Sequence, residues 1–457
     1  MLQPARCQIV ALLGAVVLFS GCGPATPSGS APASVQPSAT SVPNAGLGEV
    51  VPAPGSTSSV YQPNPAAIVV AIDPGHGGCL DWGVPDPLKR GADFSEKTMT
   101  LAIGLELRRL LEAQGITVVM TRETDAAIAG DDYPSLGCTG PPFRDVNGDG
   151  QAGFDPEGKT RTRDELQSRL DLVNLARADL LVSIHINSVT ENGAIFEIAL
   201  TQTYYTDETP WGPAATERLA QLVQDGVVDA LDPVADYERQ DRGISAVNLY
   251  IVAPPLFVTT PERPDPVMQP TRGALMPAIL TEVGSITLAA EQELLLSPAG
   301  QAAAAEGIAS ALSSYFADRP LAVRFDALVP GGAAGTVPTA VDGSGPPFWA
   351  PTVSAADLEA GINVRLTNTG TDAWPADLHL LSGWGTGDQP YLRAAPETLG
   401  ELALEVPPLA PGESVLVLLA ASPAPGGGGI LWVTLSGGDA ALSGLGSAPL
   451  QVRTTGP

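Results

Sequence analysis

The sequence is poor in histidine and in basic residues. Its 457 residues include 3 His, and 23 Lys and Arg stand against 50 Asp and Glu, which gives a formal net charge of −27. A chain this acidic repels the phosphate backbone, so nucleic acid is excluded as an expected partner. The acidity otherwise suits an exposed, soluble surface and points to no particular chemistry.

Long hydrophobic runs are also missing, except at the amino terminus. Arg6 precedes an apolar run over Ile9–Phe19, which is too short to span a bilayer comfortably. The following "LFSGC" resembles the lipobox of bacterial lipoproteins. This resemblance implies a signal peptide over 1–22, cleavage before Cys22 and a lipid anchor on its thiol, at the outer face of the cytoplasmic membrane or in the cell envelope. The alternative is a plain secretory signal, with the protein secreted.

Residues 23–65 are mainly Ser, Pro, Ala, Gly and Val with almost no charge. Such a composition cannot bury a core and predicts a disordered linker that tethers the folded part. Among the 4 cysteines, Cys79 and Cys138 lie beyond the signal. In an exported protein, two such cysteines favour a disulfide over a metal-binding pair.

Apolar strand patterns alternate with helical patterns over 66–317, which predicts an α/β fold with a mostly parallel twisted sheet and helices on both faces. The predicted strands are Ala67–Asp73, Ile116–Thr121, Leu180–Ile184, Ile195–Leu200, Val247–Val252 and Ala278–Val283. Four helices are predicted. The first contains Met99 to Leu110, and the second begins near Thr162. The other two span about Pro213–Leu231 and Pro298–Phe316.

Helical periodicity ends near Asp318, and Gly and Pro then separate short apolar segments. We expect a linker over 318–345 and a β-sandwich domain over 346–457, which resembles extracellular Ig-like modules. Its predicted strands are Ile362–Thr367, Leu378–Leu381, Ser414–Leu419 and Ile430–Leu435. Three tryptophans have two interpretations, a carbohydrate platform or ordinary sandwich core: Trp374, Trp384 and Trp432.

Two of the three histidines end predicted strands. His76 lies in "AIDPGHGG" and His185 in "LLVSIHINS". Because open α/β sheets bind ligands at the carboxyl ends of their strands, the two imidazoles are expected at one edge. Catalytic zinc commonly takes two His and a carboxylate, and Glu96 in "DFSEK" is the natural third ligand. Alternatively, Glu96 caps its helix together with Asp93.

The predicted strand in "MPAILTEVGS" carries a single acid, Glu282. A buried carboxylate needs a compensating role, because burial of an unpaired charge is costly. One such role is a general base beside a metal-bound water. The other is a structural ion pair with an arginine such as Arg169.

Four ordered segments together resemble the zinc-dependent N-acetylmuramoyl-L-alanine amidases, a family of cell-wall hydrolases. They are "IDPGHGG" (72–78), "SEKTMTLAIGLELRRLLEAQGITVVMTRETD" (95–125), "RLDLVNLARADLLVSIHIN" (169–187) and "MPAILTEVG" (276–284). The resemblance implies zinc on His76, Glu96 and His185, Glu282 as catalytic acid/base, and hydrolysis of the amide between N-acetylmuramic acid and L-alanine in peptidoglycan. Supporting roles fall to Arg169, Ser183 and Asn187.

An unusually long insertion at 126–159 interrupts the family pattern. It contains "DVNGDG", in which Asp145, Asn147 and Asp149 match the first ligands of an EF-hand calcium loop, although Pro156 stands where its Glu is expected. A plain polar turn is the alternative to Ca²⁺ binding. A Cys79–Cys138 bond would hold the insertion beside the His76 loop, as a wall or a lid.

Two other functions remain open. The first is a different zinc hydrolase of the cell wall, such as a peptidase, with the same metal and acid. The second is a catalytically silent wall-binding protein, although a mere binder has little reason to keep all four polar residues of the predicted site.

Overall fold

The structure is a computed structural model that describes most of the chain beyond residue 67. The described residues are 68–147, 152, 163–191, 194–209, 212–254, 273–328, 352–385, 400–422, 424, 429–437, 440–441 and 446–455. The predicted signal, Cys22 and the linker at 23–65 lie outside them, as does Asp149. Over the described ranges, no helix combines the length and the apolar character needed to cross a bilayer.

Strands and helices alternate through the first part of the described chain, as the α/β prediction requires. The strands are β1 (Val69–Pro74), β2 (Thr117–Met120), β3 (Asp132–Tyr133), β4 (Cys138–Thr139), β5 (Leu180–Asn187), β6 (Thr190–Glu191), β7 (Ala194–Ile195), β8 (Ala199–Tyr205), β9 (Arg239–Ala246) and β10 (Ala278–Ser285). The helices are α1 (Glu96–Ala113), α2 (Arg163–Leu175), α3 (Pro213–Leu231), α4 (Ala289–Leu296) and α5 (Pro298–Ala317).

Six of these strands form one sheet in the order β2-β1-β5-β10-β8-β9. The first four run parallel, β8 is antiparallel to β10, and β9 is parallel to β8. The prediction of a mostly parallel sheet is therefore confirmed, with a reversed pair at one side. The central strands β5 and β10 are nearly continuous apolar runs because both of their faces are covered.

Helices cover both faces of this sheet. On one face, α1, α3 and α5 share a core with Ile72, Val182 and Ile279. On the other face, α2 packs through Leu170 and Val173. The apolar spacing of α1 accounts for its position, because Met99, Ile103, Leu107 and Leu111 recur on one side and are fully buried.

Two strand predictions on the reversed side were displaced along the chain. Val247–Val252 is predicted as a strand, but the strand is β9 at Arg239–Ala246. The apolar run after it forms a loop and a turn, in which Tyr250, Ile251 and Val252 are buried in the same cluster as the apolar face of α2. Ile195–Leu200 was likewise expected, and β8 starts at Ala199 instead. Burial of an apolar run does not by itself indicate a strand.

The C-terminal part consists of two further sheets. Its elements are β11 (Val323–Leu328), β12 (Thr352–Ser354), α6 (Ala355–Ala360), β13 (Ile362–Asn368), β14 (His379–Gly385), β15 (Gly400–Glu405), β16 (Ser414–Leu419), β17 (Gly429–Gly437), β18 (Ala440–Ala441) and β19 (Leu450–Thr455). One sheet has the order β11-β13-β16 and the other β12-β19-β17-β14-β15. Their inner residues form one core that contains Trp374 and receives the partly buried Trp384.

Two features of this region differ from expectation. Strand β11 lies within the segment 318–345 that was predicted as a linker, and it pairs with β13 along its whole length. Trp432 and Ile430 belong to the buried cluster that also contains Leu275 and Met276 of the first part. Because Trp374 and Trp432 are both 2% exposed, they are core residues and cannot form a sugar-binding platform.

A buried ion pair also joins the two parts. Arg319 donates to Asp179 over 3.0 Å, and Asp179 in turn accepts the backbone N–H of Val69 at the start of β1. This contact lies at the amino-terminal end of β1 and β5, opposite the strand ends that carry the histidines. The C-terminal part thus contacts the sheet at the amino-terminal ends of its strands, opposite the predicted site.

Candidate active site

The two histidines lie side by side at the carboxyl edge of the sheet. β1 and β5 are neighbours, and the N–H of Gly75 continues their ladder by donating to Ile184 over 2.9 Å. The rings of His76 and His185 meet edge to face with centroids 4.7 Å apart. A Cβ at position 75 would collide with the His185 ring, so glycine is required there.

Glu96 reaches the histidines from the first turn of α1. Its Oε1 lies 3.0 Å from Nδ1 of His185 and 3.2 Å from Nε2 of His76. The same oxygen accepts the N–H of Ile186, and Oε2 accepts that of Val84. These contacts join three segments of the chain, so Glu96 serves the site and does not cap its own helix.

Asp81 is a site residue that the sequence analysis did not identify. Its Oδ1 lies 2.7 Å from Nδ1 of His76, which fixes the ring and turns Nε2 toward Glu96. Carboxylates in this position orient metal-binding histidines and make them better ligands. The signal in the sequence was the short spacing, an acid five residues after a histidine in a glycine-rich turn.

The donor set fits a divalent cation such as zinc. One ligand atom from each of His76, Glu96 and His185 lies within 4.8 Å of the others. Two imidazoles and one carboxylate are a common catalytic zinc set. Burial lowers the pKa of His76, but the negative charges of Asp81 and Glu96 outweigh it and raise that pKa well above 6.5. The cluster is therefore rich in negative charge and favours a bound cation.

Glu282 stands beside His185 on the neighbouring strand. The two residues are in register across β10 and β5. Oε2 of Glu282 is buried and has no hydrogen-bond partner among the described residues. Burial, reinforced by the charge of Glu96 and only partly opposed by His76, raises the pKa of Glu282 well above 4.5. An unpartnered buried carboxyl group next to two imidazoles is a strong candidate for proton transfer.

Arg169 does not pair with Glu282, contrary to one of the two interpretations of that acid. It is 1% exposed and donates to Oδ1 of Asp73 over 2.7 Å and to Oε1 of Glu165 over 2.9 Å. It also donates to the carbonyl oxygen of His76 over 2.6 Å. Arg169 therefore supports the His76 loop from behind.

The other two predicted supporting residues differ in their contacts, and only Ser183 belongs to the network of Arg169 and Asp73. Ser183 donates to Oδ2 of Asp73 over 2.6 Å. Asn187 ends β5, and its carbonyl oxygen accepts the N–H of Ile286 just beyond β10. Arg122, which the sequence analysis did not single out, donates to the carbonyl oxygens of Pro74 and Gly75. The backbone of His76 and of the two residues before it is thus held by buried arginine donors.

The insertion meets the site through a covalent bond. Cys79 and Cys138 form a disulfide. In the predicted calcium loop, Asp145 is exposed, while the N–H groups of Val146 and Asn147 donate to Oδ1 of Asp164. Because Asp149 lies outside the described residues, the calcium site stays a prediction.

Comparison with known proteins identifies the first part of the chain. Residues 70–314, more than half of the sequence, match the N-acetylmuramoyl-L-alanine amidase family. The chain belongs to this family. It is therefore an amidase of the bond between N-acetylmuramic acid and L-alanine, and the family implies peptidoglycan as its substrate.

Individual relatives match over the same region. The germination-specific N-acetylmuramoyl-L-alanine amidase of Bacillus subtilis (strain 168) is 25% identical over 251 residues, which are 55% of this chain and 81% of that protein. The sporulation-specific amidase of the same organism is 25% identical, covering 54% of this chain and 68% of its own. The crystal structure of the amidase from Clostridium difficile 630 is 26% identical over 56% of this chain and 99% of that one, with a TM-score of 0.37.

Proposed function

We propose that this amidase works with Zn²⁺ held by His76, Glu96 and His185, and that Glu282 is its catalytic acid/base. The observation that carries the proposal is the convergence of three ligand-type side chains within 4.8 Å, with an unpartnered buried carboxyl oxygen on the adjoining strand. When bound, Zn²⁺ supplies a Lewis acid that polarises the scissile carbonyl and makes water more acidic.

The side chains of the site divide the remaining work. Glu282 takes a proton from the attacking water and delivers it to the nitrogen of L-alanine as the amide bond breaks. Its raised pKa favours holding that proton between the two transfers. Asp81 and Glu96 keep both imidazoles oriented, so their ring nitrogens do not need to reorganise during the reaction.

The test combines product analysis with one isosteric substitution. Purified peptidoglycan is incubated with the full chain, and the new amino terminus is identified. A free L-alanine amine supports the amidase, another terminus indicates a peptidase, and binding without product indicates a silent wall-binding protein. Chelation should abolish cleavage, and added Zn²⁺ should restore it.

Glu282→Gln tests the acid/base role of Glu282 independently of metal binding. We expect its kcat to fall by about 10³-fold or more, within the range that general acid/base residues contribute, while its zinc content stays at the wild-type value. Near-normal turnover by this variant would remove Glu282 from the mechanism without touching the metal assignment.

We further propose that Cys22 carries a lipid and that residues 23–65 tether the enzyme to the membrane. The lipobox-like "LFSGC" and the low-charge composition of the following segment support this. Expressed in a bacterial host, the wild type should partition with membranes and take up labelled fatty acid, whereas Cys22→Ser should do neither. Soluble, unlabelled wild-type protein would instead support a plain secretory signal.

Calcium binding by Asp145, Asn147 and Asp149 is the third proposal, supported by the oxygen spacing of "DVNGDG". Calorimetric titration of the zinc-loaded protein with Ca²⁺ tests it. A saturable heat that disappears in Asp145→Asn supports the site, and the absence of heat in the wild type favours the polar turn.

A further inference from the structure

The turn that carries His76 has an unusual backbone. Over His76, Gly77 and Gly78 the φ angles are 62°, 136° and 78°. A left-handed histidine is uncommon and is retained only where the surroundings enforce it. The turn, here residues 76–81, closes with a bridge in which Gly77 donates to the carbonyl of Asp81 over 2.8 Å. The turn thus begins at the metal-ligand candidate His76 and ends at Asp81, whose carboxylate orients the His76 ring.

The segment after β2 contacts this turn at several consecutive residues. We call residues 125–140 the arm. Asp125 accepts the N–H of Gly78 over 2.8 Å, and the two oxygens of Asp131 accept those of Cys79 (2.5 Å) and Leu80 (3.3 Å). The Cys79–Cys138 disulfide joins the turn to the arm covalently. Consecutive residues of the turn therefore have partners in the arm.

Asp131 is the centre of this contact. It is 9% exposed, and a Cβ at Gly78 would collide with its carboxylate. Its own backbone is fixed on both sides, because its N–H donates to Pro141 over 2.9 Å and its carbonyl accepts from Gly140. A buried carboxylate held by a rigid backbone is a stiff anchor for the two N–H groups that precede Asp81.

The arm has a second attachment behind the site. Glu165 accepts the N–H groups of Ile128 and Ala129 over 2.7 and 2.8 Å. The same carboxylate binds Arg169, which donates to the carbonyl of His76. The turn is therefore held by the arm and by Arg169 of α2, and Glu165 connects the arm to Arg169.

We propose that Asp131, together with the Cys79–Cys138 disulfide, positions His76 for metal binding by fixing the turn between His76 and Asp81. The insertion is thereby a working part of the metal site in this chain. Asp131 acts through the backbone and through Asp81 and has no contact with the ligand atoms. The inference rests on the proposed zinc site, because its readout is the affinity of that site for metal.

The test measures metal affinity in the full chain without relying on activity alone. Asp131→Asn removes the charge, and its amide group can accept from only one of the two N–H groups. C79S/C138S removes the covalent link. We expect each to weaken Zn²⁺ binding by about 10-fold or more in competition with a chelator, within the range seen when partners of ligands are lost. The visible spectrum of the Co²⁺-substituted site should change as well.

Kinetics provide a second readout. In Asp131→Asn we expect a lower kcat at limiting zinc, recovery when free zinc is raised, and an unchanged KM. Asp164→Asn is the matched control, because Asp164 is also buried in the same region and accepts two backbone N–H groups, from Val146 and Asn147, away from the turn. It should keep wild-type zinc affinity even where it loses stability.

The outcomes are distinguishable. If the wild type binds no zinc, the proposed function fails first. If the wild type binds zinc and Asp131→Asn binds it equally well, or if Asp164→Asn loses as much affinity, the positioning role is overturned. Should Asp131→Asn fail to fold, C79S/C138S decides: unchanged zinc affinity and an unchanged cobalt spectrum would overturn the proposal.

Discussion

Two buried arginines support the two halves of the proposed active site in different ways. Arg169 lies behind the His76 loop and Arg239 behind the strand that carries Glu282. Each is almost fully buried and paired with carboxylates, Arg169 with Asp73 and Glu165, and Arg239 with Glu291 and Asp232. Each also donates to a backbone carbonyl of the segment it supports.

The difference lies in the backbone that each arginine holds. Arg169 binds the carbonyl of Pro74, the last residue of β1, and that of His76 in the loop that follows. Arg239 and Thr201 bind the carbonyl of Val283, at an irregularity of β10 directly after Glu282. A charged donor takes the place of the missing ladder partner in both cases. The loop depends on its arginine more than the strand does, because β10 remains paired on both sides.

The largest effect is expected from Arg169→Met. It leaves Asp73 and Glu165 buried without their cation, which should lower the free energy of unfolding by about 4 kcal/mol. Zinc affinity should fall with it, since the His76 carbonyl loses its donor. Urea unfolding and chelator competition measure the two effects. A loss of stability with unchanged zinc affinity would contradict the support assigned to the loop.

Arg239→Met removes the corresponding arginine on the Glu282 side and tests whether its effects differ from those of Arg169→Met. Glu291 would remain fully buried without compensation, so we expect a loss of about 3 kcal/mol in unfolding free energy. In the variant that remains folded, kcat should fall because Glu282 is less well fixed, while zinc affinity should stay within about twofold. If zinc binding weakens as much as in Arg169→Met, the division between the two halves is wrong.

The pH dependence of stability offers a smaller test of the Arg169 side. Burial raises the pKa of Asp73, but Arg169, Ser183 and Thr121 together lower it from 3.8 to about 2. A depressed pKa in the folded state stabilises the fold above the ordinary value. That contribution, about 2 kcal/mol, is lost as the pH falls from about 4 through 2. Asp73→Asn should be less stable at neutral pH and show a flatter acid limb in urea titrations.

The smallest effect is expected at the surface of α1. Arg109 pairs with Glu106 at 62% exposure of the arginine side chain, and such pairs contribute little in water. Arg109→Gln should leave the Tm within about 1 °C of the wild type and zinc affinity unchanged. A large shift in Tm would show that burial does not explain why the ion pairs of Arg169 and Arg239 contribute more to stability than this surface pair.

Much of the fold followed from local pattern. The 3.6-residue spacing of Met99, Ile103 and Leu107 predicted α1, and helix α3 begins and ends where the sequence indicated, at Pro213 and Leu231. Strands β5 and β10 were predicted because both are apolar runs. The misplaced strand at Val247–Val252 had the same composition, and only its packing in the same cluster as α2 decided that it forms a loop and a turn. In β11 the buried Val323 and Phe325 alternate with Arg324 and Asp326, a strand pattern that the linker prediction overlooked.

For the site, the sequence alone determined which residues are chemically suited to metal binding and proton transfer. His76, His185 and Glu282 stand out because imidazoles and a single acid in or at the end of apolar strands are costly without a role, and Glu96 stands out as an acid in the first turn of the following helix. Tertiary structure decided everything that depends on distant segments meeting. Arg169 turning toward Asp73, and Asp131 accepting from Cys79 and Leu80, are contacts between residues whose separation along the chain carries no signal of their proximity. Composition and periodicity report the local environment of one segment, whereas partner choice among many acids is set by the three-dimensional packing.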